Sequence, residues 1–229
     1  MVGRGTTDDA GAAAVAEIGS GTGIFTASLL ERGLSVYGVE PNPDMRSAAE
    51  SALSAYPGFR SVAGEAERSG LDDHSVAMVV CAQAFHWFAT PAAVAEFERI
   101  VVPCGPIVLV WNYRRTDCDP FHEGYERLVS AYGTDYGAIN HRNTTPDRIA
   151  ALFADRSMTV NRFENAQDLD WDGVRGRLDS SSYIPAPPSP EHDELMAAMQ
   201  ELFSQESSNG RVRLRYESVV FSLTCSSRG

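Results

Sequence analysis

Val15-Ala16-Glu17-Ile18-Gly19-Ser20-Gly21-Thr22-Gly23 decides the fold of this chain. Its first half is an apolar run suited to a buried strand. Its second half is a glycine-rich turn, after which Ile24-Phe25-Thr26 opens a helix. Glycine lets a ligand approach the backbone because it has no Cβ, and the helix N-terminus behind it offers N–H groups. A dinucleotide-binding fingerprint would put its third glycine at position 24; this chain has Ile24 there and Gly23 one residue earlier. Glu17, just ahead of the turn, would repel a pyrophosphate and suits an ammonium group. A nucleoside bearing a cationic amino acid fits this segment better than NAD does.

Outward from that stretch the chain alternates strands and helices. The pattern predicts strands over Ala10–Ile18, Leu34–Val39, Phe59–Ala63, Val76–Cys81 and Ile107–Trp111. Helices are expected over Thr22–Arg32 (closed by Gly33), Pro43–Ala55 (stopped by Pro57-Gly58) and Pro91–Ile100. Val76–Cys81 is nearly continuous apolar sequence, as a central parallel strand covered on both faces requires. This rhythm means an α/β fold with a doubly wound, mostly parallel sheet. Beyond Asn112 the pattern loosens. Helices are expected over Phe121–Tyr132, Pro146–Phe153, Asp172–Leu178 and Pro190–Phe203, and strands over Met158–Phe163 and Val212–Leu223. Ile184-Pro185-Ala186-Pro187-Pro188-Ser189-Pro190 reads as a stiff linker. Arg211-Val212-Arg213-Leu214-Arg215 alternates with period two and reads as the solvated face of an edge strand.

The chain has 229 residues, 43% of them hydrophobic, which suits one domain with a full core. A formal charge of -12 argues against nucleic acid as a partner, because phosphate recognition needs a basic surface. Cys81, Cys104, Cys118 and Cys225 form no Cys-x-x-Cys pair, so they are expected to be reduced thiols in a cytoplasmic protein. No secretory signal pattern and no membrane-spanning apolar run is visible, so no membrane partner is expected. The five histidines show no metal spacing, and His122-Glu123 lacks the second histidine of a metalloprotease helix. No metal is expected. Met1–Asp9 read as flexible, and the oligomeric state stays open.

Three motifs carry a family resemblance. Glu17-Ile18-Gly19-Ser20-Gly21-Thr22-Gly23 resembles the first motif of the class I S-adenosylmethionine (AdoMet) dependent methyltransferases, and Val39-Glu40-Pro41-Asn42-Pro43-Asp44-Met45 resembles the end of their second strand. Ala82-Gln83-Ala84-Phe85-His86-Trp87-Phe88 is similar to the small-molecule, type 11 branch that includes trans-aconitate methyltransferase relatives. The resemblance runs from Val15 to about Phe221. It implies a seven-stranded Rossmann-like sheet in one domain, with a cofactor-binding core over 10–114. Residues 115–229 would supply the last two strands, the final one antiparallel, and helices covering the substrate site. The family's aspartate opening the fourth strand is Ala77 here, and its Lys-Pro-Gly-Gly turn is Val102-Pro103-Cys104-Gly105-Pro106.

The resemblance also implies roles. Gly19, Ser20, Gly21, Thr22 and Gly23 would form the cofactor turn, Glu40 would accept the ribose hydroxyls beside Pro41, and Met45 would pack on the adenine. Glu65 and the backbone of Ala66 would read the adenine edge. Glu17 would meet the methionine ammonium, directly or through water, with Gln83 and the backbone of Ala82 on the other side. For Glu40 and Met45, a strand-end surface charge and an ordinary core methionine are the plain alternatives.

His86 is the candidate catalytic base, and His86, Trp87, Asn112, Arg114 and Tyr183 are the candidate substrate contacts. Arg115, Arg177 and Ser180-Ser181-Ser182 are weaker ones. A structural histidine and two solvated loop arginines remain equally open readings of His86 and the Arg114-Arg115 pair. Methyl transfer from a sulfonium is an in-line displacement, so alignment and water exclusion are the main tasks, and a base is needed only for a protonated acceptor. The expected function is methyl transfer from AdoMet to a small molecule, with O-methylation, of a carboxylate for example, ahead of N- or C-methylation. The alternative is an AdoMet-binding protein that has lost turnover and acts as a sensor or partner.

Overall fold

Four strands and the start of a fifth stand in parallel register, each with at least one valine. β1 (Val15–Ile18) lies between β2 (Val36–Val39) and β4 (Met78–Ala82). β3 (Phe59–Val62) pairs with β2, and β5 (Ile107–Arg114) pairs with β4. With β6 (Arg156–Leu169) and β7 (Val212–Cys225), the sheet order is β3-β2-β1-β4-β5-β7-β6. The computed structural model describes residues 14–134, 145–181 and 183–226. Strand order reverses at β1, whose neighbours are β2 on one side and β4 on the other. That switch point is where open α/β sheets leave a ligand crevice at the carboxyl ends of their strands.

Helices α1 (Ile24–Leu30), α2 (Pro43–Ala52) and α3 (Pro91–Ile100) follow β1, β2 and β4; α4 (Pro120–Tyr132), α5 (Pro146–Leu152), α6 (Trp171–Asp179) and α7 (Pro190–Glu206) come later. Five of them begin the same way. Asn42, Thr90, Asp119, Thr145 and Ser189 each accept an N–H of the first turn, and proline fills the next position, where no N–H is needed. On the Glu17 side of the sheet, Val15, Val36 and Val80 pack against Leu29 and Leu30 of α1 and Ala49 and Leu53 of α2.

The chain forms two compact units. One comprises Met1–Trp111, Thr144–Asn161 and Val220–Gly229; the other comprises Asn112–Asn143 and Arg162–Val219. In the second unit, Phe121, Tyr125 and Val129 of α4, Val174 and Leu178 of α6, and Leu195 and Met199 of α7 form a core with Leu214 and Tyr216.

Two expectations need correcting. β7 is not an edge strand, because β6 takes that place. β7 runs against β5: the Arg115 N–H meets the Arg215 carbonyl at 2.9 Å, and the Trp111 ring lies 5.6 Å from that of Phe221. The alternating arginines are tied down as well, Arg213 by two 2.8 Å bonds to Asp168 and Arg215 by a 2.7 Å bond to Asp119. Nor are all four cysteines thiols. Cys104, in the turn before β5, is disulfide-bonded to Cys225 at the end of β7, across 121 residues of sequence, while Cys81 and Cys118 are free. The antiparallel run of β7 brings the two positions together, with Cα atoms 5.2 Å apart. Disulfides persist in oxidising surroundings, so the pairing removes the argument from cysteine to cytoplasm. No helix among the described residues is long and apolar enough to cross a membrane.

Candidate functional site

The glycine turn forces the chain into the left-handed region three times, with φ of +73° at Gly19, +57° at Gly21 and +83° at Gly23. This delays α1, whose first residue is Ile24 rather than Thr22. At Gly19 a side chain is also sterically barred, since a Cβ would lie 2.6 Å from that of Ala84 and 3.3 Å from the Phe88 ring. At Gly21 a Cβ would meet nothing within 4 Å, so this glycine faces the open side of the turn. Its N–H donates to Glu40 Oε2 at 3.0 Å, and the Asn42 N–H donates to Glu40 Oε1 at 3.0 Å. The Glu40 carboxylate, 7% exposed at the end of β2, is therefore aimed by the turn itself and keeps further lone pairs for other donors. Ser20 is buried beneath the turn, and Thr22 and Pro41 are exposed. Met45 stands in the first turn of α2 with 44% of its surface exposed, high for so apolar a side chain.

Glu17 is almost wholly buried and accepts a 2.5 Å hydrogen bond from the Thr26 hydroxyl of α1. Burial pushes its carboxyl up to about 7, against the lowering effect of that hydrogen bond. Burial, and secondarily Glu17, also push the Cys81 thiol up.

Beyond β4, half-buried Ala82 leads into Gln83, which holds φ +58° while its N–H bonds the Val110 carbonyl at 2.8 Å. A non-glycine residue in this region costs of order 1–3 kcal/mol and persists where its surroundings over-determine it, often at a ligand site. Phe85, His86 and Trp87 then form one 3₁₀ turn. Phe85 is buried, Trp87 is 61% exposed, and half-buried His86 lies with its ring 5.0 Å from that of Trp87. Burial lowers the basicity of His86.

After β3, Glu65 is exposed and its backbone pairs with Arg68, whereas Ala66 is buried. A group that the sequence did not single out holds this loop. Glu96 of α3 accepts the Ser69 N–H at 2.8 Å and hydroxyl at 2.6 Å, and Arg99 bonds both Glu96 oxygens. Arg99 foremost, with help from Ser69, holds the Glu96 carboxyl down at about 2 despite its burial. The i,i+3 Glu-Arg pair was visible in the sequence; its burial was not.

All the cofactor candidates, with His86 and Trp87, belong to the first unit. The turn, Glu40 and the Ala84–Phe88 segment are brought into direct contact; no bond ties Glu65 to them. The remaining acceptor candidates belong to the second unit. Asn112 Oδ1 accepts the Ser218 hydroxyl at 2.5 Å. Arg114 ends β5 and is not a solvated loop residue: its guanidinium lies 4.3 Å over the Tyr125 ring, Nη2 donates to Glu126 Oε2 at 2.5 Å, and the side chain is 11% exposed. Arg177 lies 5.9 Å over Tyr216, and half-buried Tyr183 packs on the same core. Burial foremost, then Tyr183, pushes the Tyr125 phenol up, while Arg114 and Arg177 pull it back. Ser182 lies outside the described residues.

Cys118, Asp119 and His122 bring possible metal-ligand atoms within 4.8 Å of one another. His122 has no lone pair to give, however. Its Nε2 accepts the Arg215 N–H at 2.8 Å, so Nδ1 carries the proton and donates to Asp119 at 2.7 Å. The cluster is a structural clasp.

A family model described as a methyltransferase domain matches residues 16–109. An uncharacterised methyltransferase of Mycobacterium tuberculosis is 38% identical over 138 residues, covering 60% of this chain and 54% of its own length. The chain thus spans about half the length of that relative. An uncharacterised methyltransferase of Geobacillus thermodenitrificans is 31% identical over 163 residues, 68% of this chain and 74% of its own. Among solved structures, the YcgJ protein of Bacillus subtilis matches with a TM-score of 0.58 at 18% identity, over 94% of this chain and 93% of its own. Phosphoethanolamine N-methyltransferase 2 of Haemonchus contortus, in complex with phosphomonomethylethanolamine and S-adenosylhomocysteine, matches with a TM-score of 0.54 at 12% identity, over 94% of this chain and 49% of its own. At such identities the two structures speak for the fold alone.

Proposed function

The chain belongs to the class I AdoMet-dependent methyltransferase family, and we propose that it transfers a methyl group from AdoMet to a small organic acceptor. The observation that carries this reading is the Glu40 carboxylate, fixed by Gly21 and Asn42 at the end of β2 beside a turn whose open side is a glycine. Such a carboxylate can accept two ribose hydroxyls without reorganising, and a side chain at position 21 would fill the approach. The Gly21 N–H that a pyrophosphate would need is already given to Glu40, and Ile24 stands where the dinucleotide fingerprint has its third glycine, so NAD is disfavoured. Met45 would cover the adenine face, Glu65 and Ala66 would read its edge, and Glu17, Ala82 and Gln83 would take the amino-acid end.

Bound AdoMet would supply a methyl group on a sulfonium, with a neutral thioether as leaving group. The residues of the chain have the remaining work. Trp87 and Phe88 present aromatic surface that excludes water and tolerates a cation, while Phe85 is wholly buried and packs against Phe88, Phe97 and Phe153. His86, its basicity lowered by burial, is neutral at pH 7 and can take a proton from a hydroxyl acceptor.

A carboxylate acceptor needs no base, only a cation to orient it. Arg114, stacked on Tyr125 and with Nη2 given to Glu126, is the candidate for that cation, with Arg177 and Tyr183 as further candidate contacts. We therefore favour O-methylation of an organic acid. The -12 charge speaks against a polyanionic nucleic acid.

The test is incubation of the protein with methyl-tritiated AdoMet and a panel of organic acids, phenols and amines. Base-labile label in an acid, reduced at least tenfold by Arg114→Met, is the expected result. Transfer to amines alone, with the acids inert, contradicts the acceptor assignment; AdoMet binding without transfer to any acceptor favours a binding protein.

A further inference from the structure

Glu17 differs from Glu40 in its partner: Glu40 accepts backbone N–H groups, whereas Glu17 accepts the hydroxyl of another buried side chain. Thr26 is fully buried in α1, three residues past Gly23, and its hydroxyl points at Glu17 Oε2 from 2.5 Å. A threonine inside a helix commonly turns its hydroxyl back to a carbonyl of the preceding turn. Thr26 uses its one O–H on a residue nine positions away instead. We propose that Thr26 is a positioning residue that holds the Glu17 carboxylate ready for the ammonium group of AdoMet and thereby sets the pH range in which the cofactor binds. This rests on the AdoMet reading above and extends it to a residue outside the recognised motifs.

The physical reasoning is a balance. Burial favours the neutral acid, and a hydrogen bond donated to the carboxylate favours the charged form. The two leave Glu17 titrating near 7, so a modest pull from an ammonium group is enough to ionise it at neutral pH. Without the Thr26 hydroxyl only burial remains, and a cation would have to displace a proton held more tightly. β2 presents Gly38 beside Glu17 and β4 presents Val80. Cys81 of β4 is kept as a neutral thiol by its burial. The nearby Glu40 carboxylate is occupied by Gly21 and Asn42.

The experiment is calorimetric titration of AdoMet into the wild type, Thr26→Val and Thr26→Ser between pH 5.5 and 9. In parallel, the Glu17 carboxyl is titrated by carbon-13 NMR in the ligand-free proteins, its resonance assigned with Glu17→Gln. We expect Thr26→Val to weaken binding about tenfold at pH 6.5, from a Glu17 pKa raised by about one unit, with affinity recovering to within about twofold above pH 8.5. Thr26→Ser, which keeps the hydroxyl, should follow the wild type. A Thr26→Val defect that is equal at every pH, or an unmoved Glu17 titration, overturns the proposal while leaving the cofactor assignment intact. If the wild type binds no AdoMet at any pH, the cofactor assignment falls, and the ammonium role of Glu17 falls with it.

Discussion

Replacing Glu17 by glutamine should change how the stability of the protein depends on pH, by an amount that follows from the structure. An unfolded glutamate titrates near 4.5, and in the folded chain burial lifts Glu17 to about 7. The folded state therefore binds more protons than the unfolded state across that window, and linkage makes stability fall as pH rises through it. The stabilisation is fully present below about 4.5 and is lost above about 7. A shift of roughly 2.5 units at about 1.4 kcal/mol each gives about 3 kcal/mol between pH 4.5 and pH 8. The amide oxygen introduced by Glu17→Gln can still accept from Thr26, and the surplus amide donor costs a constant amount at every pH. The quantity to measure is thus the drift in the difference between the two proteins, which cancels that constant. Urea unfolding at pH 4.5, 6, 7 and 8 should show the variant gaining about 3 kcal/mol on the wild type, most of it by pH 7. Parallel stability curves would refute the reasoning and mean that Glu17 is either solvated or paired with a cation.

Two of the three glycines of the turn, Gly19 and Gly21, should part company. Gly19→Ala meets both a positive φ and the Ala84 side chain, so it should cost about 2 kcal/mol or more, lowering Tm by roughly 5 °C. Gly21→Ala meets only the positive φ and should cost about half of that in stability, yet lose AdoMet binding in the same calorimetric assay. Cys225→Ser, by opening a loop of 121 residues, should destabilise by about 3 kcal/mol under oxidising conditions, and reductant should abolish the difference. Glu96→Gln should cost about 2 kcal/mol at pH 7 by loosening Ser69 and Arg99. That loss should shrink as pH falls from about 4.5 toward 2, because over that window the unfolded glutamate takes up a proton while folded Glu96 stays ionised.

The parts of the fold written in local chemistry were legible. Thr90-Pro91 marks the start of α3, and the predicted Pro91–Ile100 matches the structure because cap and proline fix that end whatever lies around it. The glycine turn and Glu40 were readable for the same reason, since positive φ and a strand-end carboxylate need no distant partner. Cys104 stands where the family has glycine, and it keeps the left-handed conformation, with φ +64°. β6 was underread, Met158–Phe163 against Arg156–Leu169, because an edge strand exposed on both faces carries no apolar alternation. β5 runs three residues past its apolar stretch because Asn112 and the residues after it pair with β7. The disulfide and the Ser69–Glu96 bonds join segments 121 and 27 residues apart, and the Arg114–Tyr125 stack depends on how α4 folds back on the end of β5, so nothing local announces them.

The central claim is that Glu40 and the glycine turn form an AdoMet site. Titration of AdoMet, with NAD as control, into the wild type and Glu40→Ala is the measurement that bears on it most directly. Micromolar binding of AdoMet but not NAD, weakened at least tenfold in Glu40→Ala, is the predicted result. AdoMet binding unchanged by the substitution, or NAD binding more tightly than AdoMet, would contradict it.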